Sequence, residues 1–198
     1  MTRAADRMLR LMDRAVTAWQ IPIIGRDKGR VLRRLLLRHR PRCGVEIGSL
    51  LGYSAILIGA NLARGGRLTC IEVNPFLAWI SQENADRAGL AGRVKVLAGD
   101  ALRILPRLRG PVDLVFIDAN KEDYLEYLRA IEPRLAEGAL VVADNTGIFR
   151  REVKAYLAHV RTPPWESREY DFGHDCMEAS IFHRAGPRTV NGARARRR

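Results

Sequence analysis

Short apolar runs alternate with stretches of helical periodicity along most of this chain. The runs "CGVEIG" (43–48), "RLTCIEV" (67–73), "RVKVLAG" (93–99), "VDLVFID" (112–118) and "ALVVAD" (139–144) read as strands. Their near-continuous apolar character is that of strands buried on both faces. Helical stretches near 53–64, 75–89, 100–108, 121–136 and 149–160 fall between and after them, and two more, about 3–19 and 26–40, precede the first strand. From 165 onward "WESREYDF" and "CMEASIFHR" read as two extended strands around a turn at Gly173, with no helix between. The pattern predicts an α/β fold: a doubly wound, mostly parallel seven-stranded sheet with crossover helices, a C-terminal antiparallel strand pair at one edge, and two extra N-terminal helices.

A chain of 198 residues with 47% hydrophobic and 28% charged positions fits one soluble domain, expected over 1–185. No apolar run approaches the roughly 18 to 20 residues that span a bilayer, so a cytoplasmic protein without membrane association is expected. Cys43, Cys70 and Cys176 are odd in number and share no metal-type spacing with the four histidines, which suits free thiols.

The net charge of +12 is unevenly distributed. Residues 1–42 hold 12 Lys/Arg against 3 Asp/Glu, the tail 186–198 holds 5 Arg and no acid, and the stretch between is nearly neutral. Arg3, Arg7, Arg10 and Arg14 share one side of the first helix, opposite Ala5, Met8, Met12, Ala15 and Trp19, which is the pattern of an amphipathic helix with a solvated basic face. The tail "GPRTVNGARARRR" is too polar to pack and reads as disordered.

Right-handed crossovers bring the C-terminal ends of parallel strands to one edge, where ligands bind. Those ends carry Glu46 with Gly48, Glu72, Gly99 with Asp100, Asp118, and Asp144 with Asn145, so six carboxylate or amide side chains converge on one rim. In "VEIGSLLGYS", Gly48 and Gly52 allow a tight turn and close backbone approach, and Ser54 opens the next helix. The G-x-G-x-x-G fingerprint is absent. Glu72, 24 residues after Gly48, is placed to accept both hydroxyls of a ribose, and Asp100 with Ala101 lies where an adenine would sit. NAD and S-adenosylmethionine both satisfy that acid; the lack of a pyrophosphate-type loop favours the methyl donor.

In order and spacing, "VEIGSLLGYSA", "IEVNP", "GDA", "FIDANKEDYLEY" and "VVADN" resemble the cation-dependent class I S-adenosylmethionine O-methyltransferases, the group of the catechol and caffeoyl-CoA enzymes, over about residues 20–184. "REYDFGHDCMEASIF" is similar to the end of the catechol enzymes. The resemblance implies a Rossmann-like sheet, Mg²⁺ or another divalent cation held by Asp118, Asp144 and Asn145, and Lys121 as the base that takes the acceptor's proton. Hard oxygen ligands agree independently with that ion, and three protein donors leave octahedral positions for water and two neighbouring substrate oxygens. Glu169 matches the residue that accepts a hydrogen bond from the second hydroxyl, and Ile23, Ile24, Trp165 and Tyr170 are candidates to line an aromatic site. The chain departs from the group where Asn120 replaces a tryptophan gate, where Leu51 replaces a small or polar residue, and in having no long insertion loop. His39, His159, His174 and His183 have no ligand spacing.

The expected activity is Mg²⁺-dependent methyl transfer to a small vicinal diphenol. A second reading runs the same core on 5-hydroxyuridine in tRNA, with the basic N-terminal segment and tail contacting phosphates. Homodimers are frequent among proteins of this resemblance.

Overall fold

A computed structural model describes residues 2–19 and 21–184, with the side chains of 16–19 left aside. The side chain of Trp19, expected on the apolar side of the first helix, and the basic tail 186–198 therefore lie outside the described residues. The elements run α1 (Arg3–Trp19), α2 (Gly25–His39), β1 (Cys43–Ile47), α3 (Tyr53–Asn61), β2 (Arg67–Glu72), α4 (Pro75–Arg87), β3 (Val94–Ala98), α5 (Ala101–Ile104), β4 (Val112–Ile117), α6 (Tyr124–Ile131), β5 (Leu135–Ala143), α7 (Lys154–Val160), β6 (Trp165–Asp171) and β7 (Cys176–Phe182).

One seven-stranded sheet has the order β3-β2-β1-β4-β5-β7-β6. Strands β1 to β5 pair in parallel, and β7 runs antiparallel between β5 and β6. Side-chain alternation along each central strand feeds two cores, because successive residues point to opposite faces. Leu114, Phe116, Leu140 and Val142 pack with Leu32, Leu36, Ile56 and Ile58 of α2 and α3. Val115, Ile117, Val141 and Ala143 pack with Tyr124, Leu128, Ile131 and Tyr156 of α6 and α7. Burying each large apolar side chain of this kind contributes about 1.5–3 kcal/mol, so helices on both faces are needed to keep the strands dry.

Two expected helices are shorter than their periodicity implies. The stretch 100–108 is helical only over Ala101–Ile104 and tightens into a 3₁₀ turn at Leu105–Arg107. The stretch 121–136 is a 3₁₀ turn at Lys121–Asp123, helix at Tyr124–Ile131, then another 3₁₀ turn at Glu132–Arg134. Pro106 and Pro133 lie at these C-terminal breaks, where a proline removes the helical amide donor. The following strand accordingly starts at Leu135, earlier than 139. The seventh helix begins at Lys154 instead of 149. In α1, Arg3, Arg7, Arg10 and Arg14 are exposed while Ala5, Leu9 and Met12 are buried; Ala15 is exposed.

Candidate active site

The chain crosses from one half of the sheet to the other between β1 and β4, and a cleft of about 660 Å³ opens above that switch point. Clefts of this size take small ligands and cofactors. Its floor is formed by strand ends that remain in the backbone ladder: Gly48 N donates to Ile71 O (2.9 Å), Asp118 N to Ile47 O (2.9 Å) and Asp144 N to Ile117 O (3.0 Å). The residues immediately beyond the strands are thereby fixed as firmly as the strands themselves.

The turn after β1 requires its glycines. Gly48 has φ +86°, and a Cβ there would lie 2.2 Å from the carbonyl oxygen of Asp118. Gly52 has φ +88° and its Cβ would meet Ser81. The turn amides of Ser49 and Leu50 donate to Glu72 Oε2 (3.2 and 2.9 Å), and Asn74 N donates to Oε1 (3.0 Å). Glu72 is thus oriented on the cleft wall by backbone donors before any ligand arrives. Across from it, Asp100 caps α5 by accepting from Leu102 N (2.9 Å). Gly48, Ser54, Glu72, Asp100, Ala101 and Asp118 all line the cleft.

Glu46 and Gly52 do not line it. Glu46 is fully buried in β1, and its oxygens have no hydrogen-bond partner of ordinary geometry, although the Cys70 thiol and Ser54 hydroxyl are near. Burial pushes its carboxyl up to about 7. The role expected for it in holding a cofactor is therefore indirect at most, and Gly52 acts through the turn.

At the other end of the cleft Lys121 Nζ donates to Asp118 Oδ1 (2.7 Å) and to the Tyr124 hydroxyl (2.8 Å), which donates in turn to Asp144 O (3.0 Å). The Phe149 ring lies 5.6 Å from the same ammonium. Asp144 is 1% exposed at its side chain, and burial with the neighbouring Asp118 carboxylate raises its pKa to about 6. Each of these carboxylates meets one lysine, Lys121 at Asp118 and Lys28 at Asp144, and Asn145 follows with φ +58°. Among the described residues no group of three or more His, Cys, Asp and Glu is arranged to hold a metal. The candidate set here is two carboxylates and an amide, a hard-oxygen set suited to Mg²⁺.

Two residues near this end were not foreseen. Lys28 of α2 is buried, with Nζ 2.6 Å from Asp144 Oδ1 and 2.5 Å from Asp175 Oδ2. Burial opposes its charge, but the two carboxylates outweigh that and raise its pKa. Asp175 stays well below the usual carboxylate range despite burial, because Lys28, Asn145 and backbone amides hydrogen-bond to it. A signal for Lys28 was present: Lys28, Val31, Leu32, Leu35 and Leu36 are all buried and share the apolar stripe of α2. A lysine on such a stripe requires a buried partner.

Of the acceptor-side candidates, Ile23, Ile24 and Asn120 line the cleft, and Asn120 Nδ2 donates to Asp123 Oδ2 (2.8 Å). Trp165 is a correction. The antiparallel register pairs Trp165 with Phe182 and Asp171 with Cys176, so Trp165 begins β6 at the edge opposite the rim and packs in the core. Tyr170 likewise belongs to the core margin. Glu169 is also outside the cleft, held by Arg150 (2.5 Å) and Arg161 (2.7 Å). His174 is exposed and does not line the cleft.

A family described as "Methyltransferase domain" matches residues 45–146, more than half the chain. The chain is 39% identical over 123 residues to a catechol O-methyltransferase of Niastella koreensis, covering 60% of this chain and 56% of that protein. It is 35% identical over 145 residues to the catechol O-methyltransferase of Sus scrofa, covering 70% of this chain and 77% of that protein. Among solved structures, the O-methyltransferase TomG from Streptomyces achromogenes, in complex with SAM, superimposes with a TM-score of 0.77 at 25% identity, over 92% of this chain and 91% of the other. An O-methyltransferase from Bacillus cereus in complex with SAH shares the fold with a TM-score of 0.78 at 22% identity, covering 92% and 91% of the two chains.

Proposed function

Because this chain belongs to the S-adenosylmethionine-dependent O-methyltransferases of the catechol and caffeoyl-CoA type, we propose that it methylates one hydroxyl of a vicinal aromatic diol with the help of a divalent cation, Mg²⁺ first among them. The observation that carries this reading is the placement of Asp118, Asp144 and Asn145 at adjoining strand ends, with Lys121 on Asp118, in the same cleft as Glu72. Glu72 would receive the ribose hydroxyls of the methyl donor, with Asp100 and Ala101 beside the adenine and Ser54 near the amino-acid end.

Asp118, Asp144 and Asn145 would hold the cation. When bound it supplies Lewis acidity that makes the acceptor hydroxyl a better proton donor. As a neutral amine, Lys121 Nζ would take that proton while the acceptor oxygen forms its bond to the methyl carbon and the sulfur keeps the electron pair of the broken bond. Tyr124 and Asp118 fix Nζ in place, and Phe149 shields it from one side. The strand ends would hold donor and acceptor in one cleft, and positioning of that kind supplies a large share of the rate in such reactions.

The test is label transfer from S-adenosylmethionine to 3,4-dihydroxybenzoate, with Mg²⁺ or with excess EDTA. Labelled product that disappears with chelator is expected. Undiminished transfer in EDTA removes the cation from the mechanism, and transfer only to tRNA bearing 5-hydroxyuridine redirects the acceptor.

A further inference from the structure

Lys28 takes no part in the chemistry above, yet it reaches from α2 across to the end of β5 and buries an ammonium between two carboxylates, with side-chain exposures of 7% for Lys28, 1% for Asp144 and 2% for Asp175. Burying three charges is costly unless their hydrogen bonds are complete, and for Asp175 they are. Its Oδ1 accepts from the amides of Gly147 (3.1 Å), Ile148 (3.0 Å) and Cys176 (2.7 Å), and its Oδ2 from Lys28 Nζ and from Asn145 Nδ2 (2.8 Å). With Nδ2 tied to Asp175, the amide of Asn145 is fixed in orientation, and with it Oδ1, the one side-chain atom that can ligate a hard cation. Asp144 Oδ1 accepts from both Lys28 Nζ (2.6 Å) and Asn145 N (2.8 Å), which fills the two lone-pair positions of that oxygen. Only Oδ2 remains for a ligand.

We infer that Lys28 and Asp175 form a buried clamp that restricts Asp144 to one oxygen and fixes the orientation of the Asn145 amide, so that the site accepts a small octahedral cation and rejects a larger one that needs bidentate carboxylates. The inference rests on the metal reading proposed above. Mg²⁺ and Mn²⁺ are satisfied by single oxygens in octahedral array, whereas Ca²⁺ takes six to eight donors and draws on bidentate carboxylates to reach them. Lys28 is in this sense a positioning residue: it acts on the ion through Asp144.

The decisive quantity is the ratio of Ca²⁺ to Mn²⁺ dissociation constants, measured with protein saturated in S-adenosylmethionine by the electron paramagnetic resonance of free Mn²⁺ and its displacement by Ca²⁺. Lys28→Met removes a positive charge and Asp175→Asn removes a negative one. A mere change of local charge shifts both divalent affinities together, in opposite directions in the two variants, and leaves the ratio alone. Loss of the clamp lowers the ratio in both, by about tenfold on the scale typical of groups that orient metal ligands. S-adenosylmethionine binding in EDTA and the circular dichroism spectrum report whether each variant folds, and the wild-type ratio bears on the inference without either variant. A wild-type ratio near one overturns the clamp while leaving the metal site intact, as does a ratio unchanged in the folded variants. Failure of wild-type protein to bind Mn²⁺ at all removes the metal reading and the clamp with it.

Discussion

Lys121 is held by two oxygens of different character, a carboxylate on Asp118 and a phenol on Tyr124, and both contacts run between side chains, outside the backbone bonds of α6. Lys121→Ala is therefore expected to retain S-adenosylmethionine affinity, read by calorimetry, while the rate of methyl transfer falls by about 10²–10⁴, the range for loss of a positioned base. Equal turnover in the variant would remove Lys121 from proton transfer. Glu46 presents the opposite case, a carboxyl buried without adequate partners. Its pKa, raised from 4.5 to about 7, means the native state holds the proton more tightly, so its contribution to stability is fully present below pH 4.5 and is lost as pH rises through about 7. Glu46→Gln should then gain on wild type by about 1–3 kcal/mol at pH 8 and by little at pH 5. Urea unfolding at the two values checks this, and an offset independent of pH contradicts it. At this scale the strings around Asp118, Lys121, Asp144 and Asn145 were legible because each lies within a few residues of a strand end. Lys28 carried a signal in its place on the apolar stripe of α2, but its partner Asp175 was not legible, since their meeting joins positions 147 residues apart.

The C-terminal hairpin marks the limit of legibility among the elements. Both strands and the turn at Gly173 follow from the sequence, yet alternation within a strand does not say which of its ends meets the rim. Only the antiparallel register with β7 sends Trp165 to the far edge. The same register sets Glu169 opposite Glu178, and Arg161, just past α7, spans them: Nε and Nη2 donate to the two oxygens of Glu178 (2.8 and 2.7 Å), and Nη2 also reaches Glu169. Glu178 is 1% exposed at its side chain, so removing its partner strands a buried charge. Arg161→Ala should cost about 1–3 kcal/mol, the penalty for an unsatisfied buried group, reduced because the guanidinium itself is partly exposed. A change under about 0.5 kcal/mol in urea unfolding, the level of ordinary surface substitutions, contradicts this account of the hairpin. The helices end short of their periodicity for a local reason: Pro106 and Pro133 turn the last residues into 3₁₀ geometry, and periodicity does not register that change.

For the molecule as a whole, alternation of apolar runs and helical stretches sufficed for the doubly wound sheet, because a parallel sheet covered on both faces leaves few other arrangements. It did not supply the strand order, nor the insertion of β7 between β5 and β6. Among the described residues no helix is long and apolar enough to cross a membrane. A ligand of a cleft whose walls come from the ends of β1 to β5 binds only the folded chain, so S-adenosylmethionine at a hundred times its dissociation constant should stabilise the protein by about 2.7 kcal/mol. For a chain of this size that is roughly 5–10 °C in Tm by calorimetry, and the absence of any shift contradicts assignment of the cleft to this ligand.

The missing side chain at Gly48 bears on redesign. The donor turn and the end of β4 meet there with no room for a methyl group, 2.2 Å from the Asp118 carbonyl. Directed evolution that sought a new acceptor by varying the donor turn would disturb both ends of the cleft at once, so a library should leave position 48 fixed and diversify Ile23 and Asn120, which line the cleft outside the core.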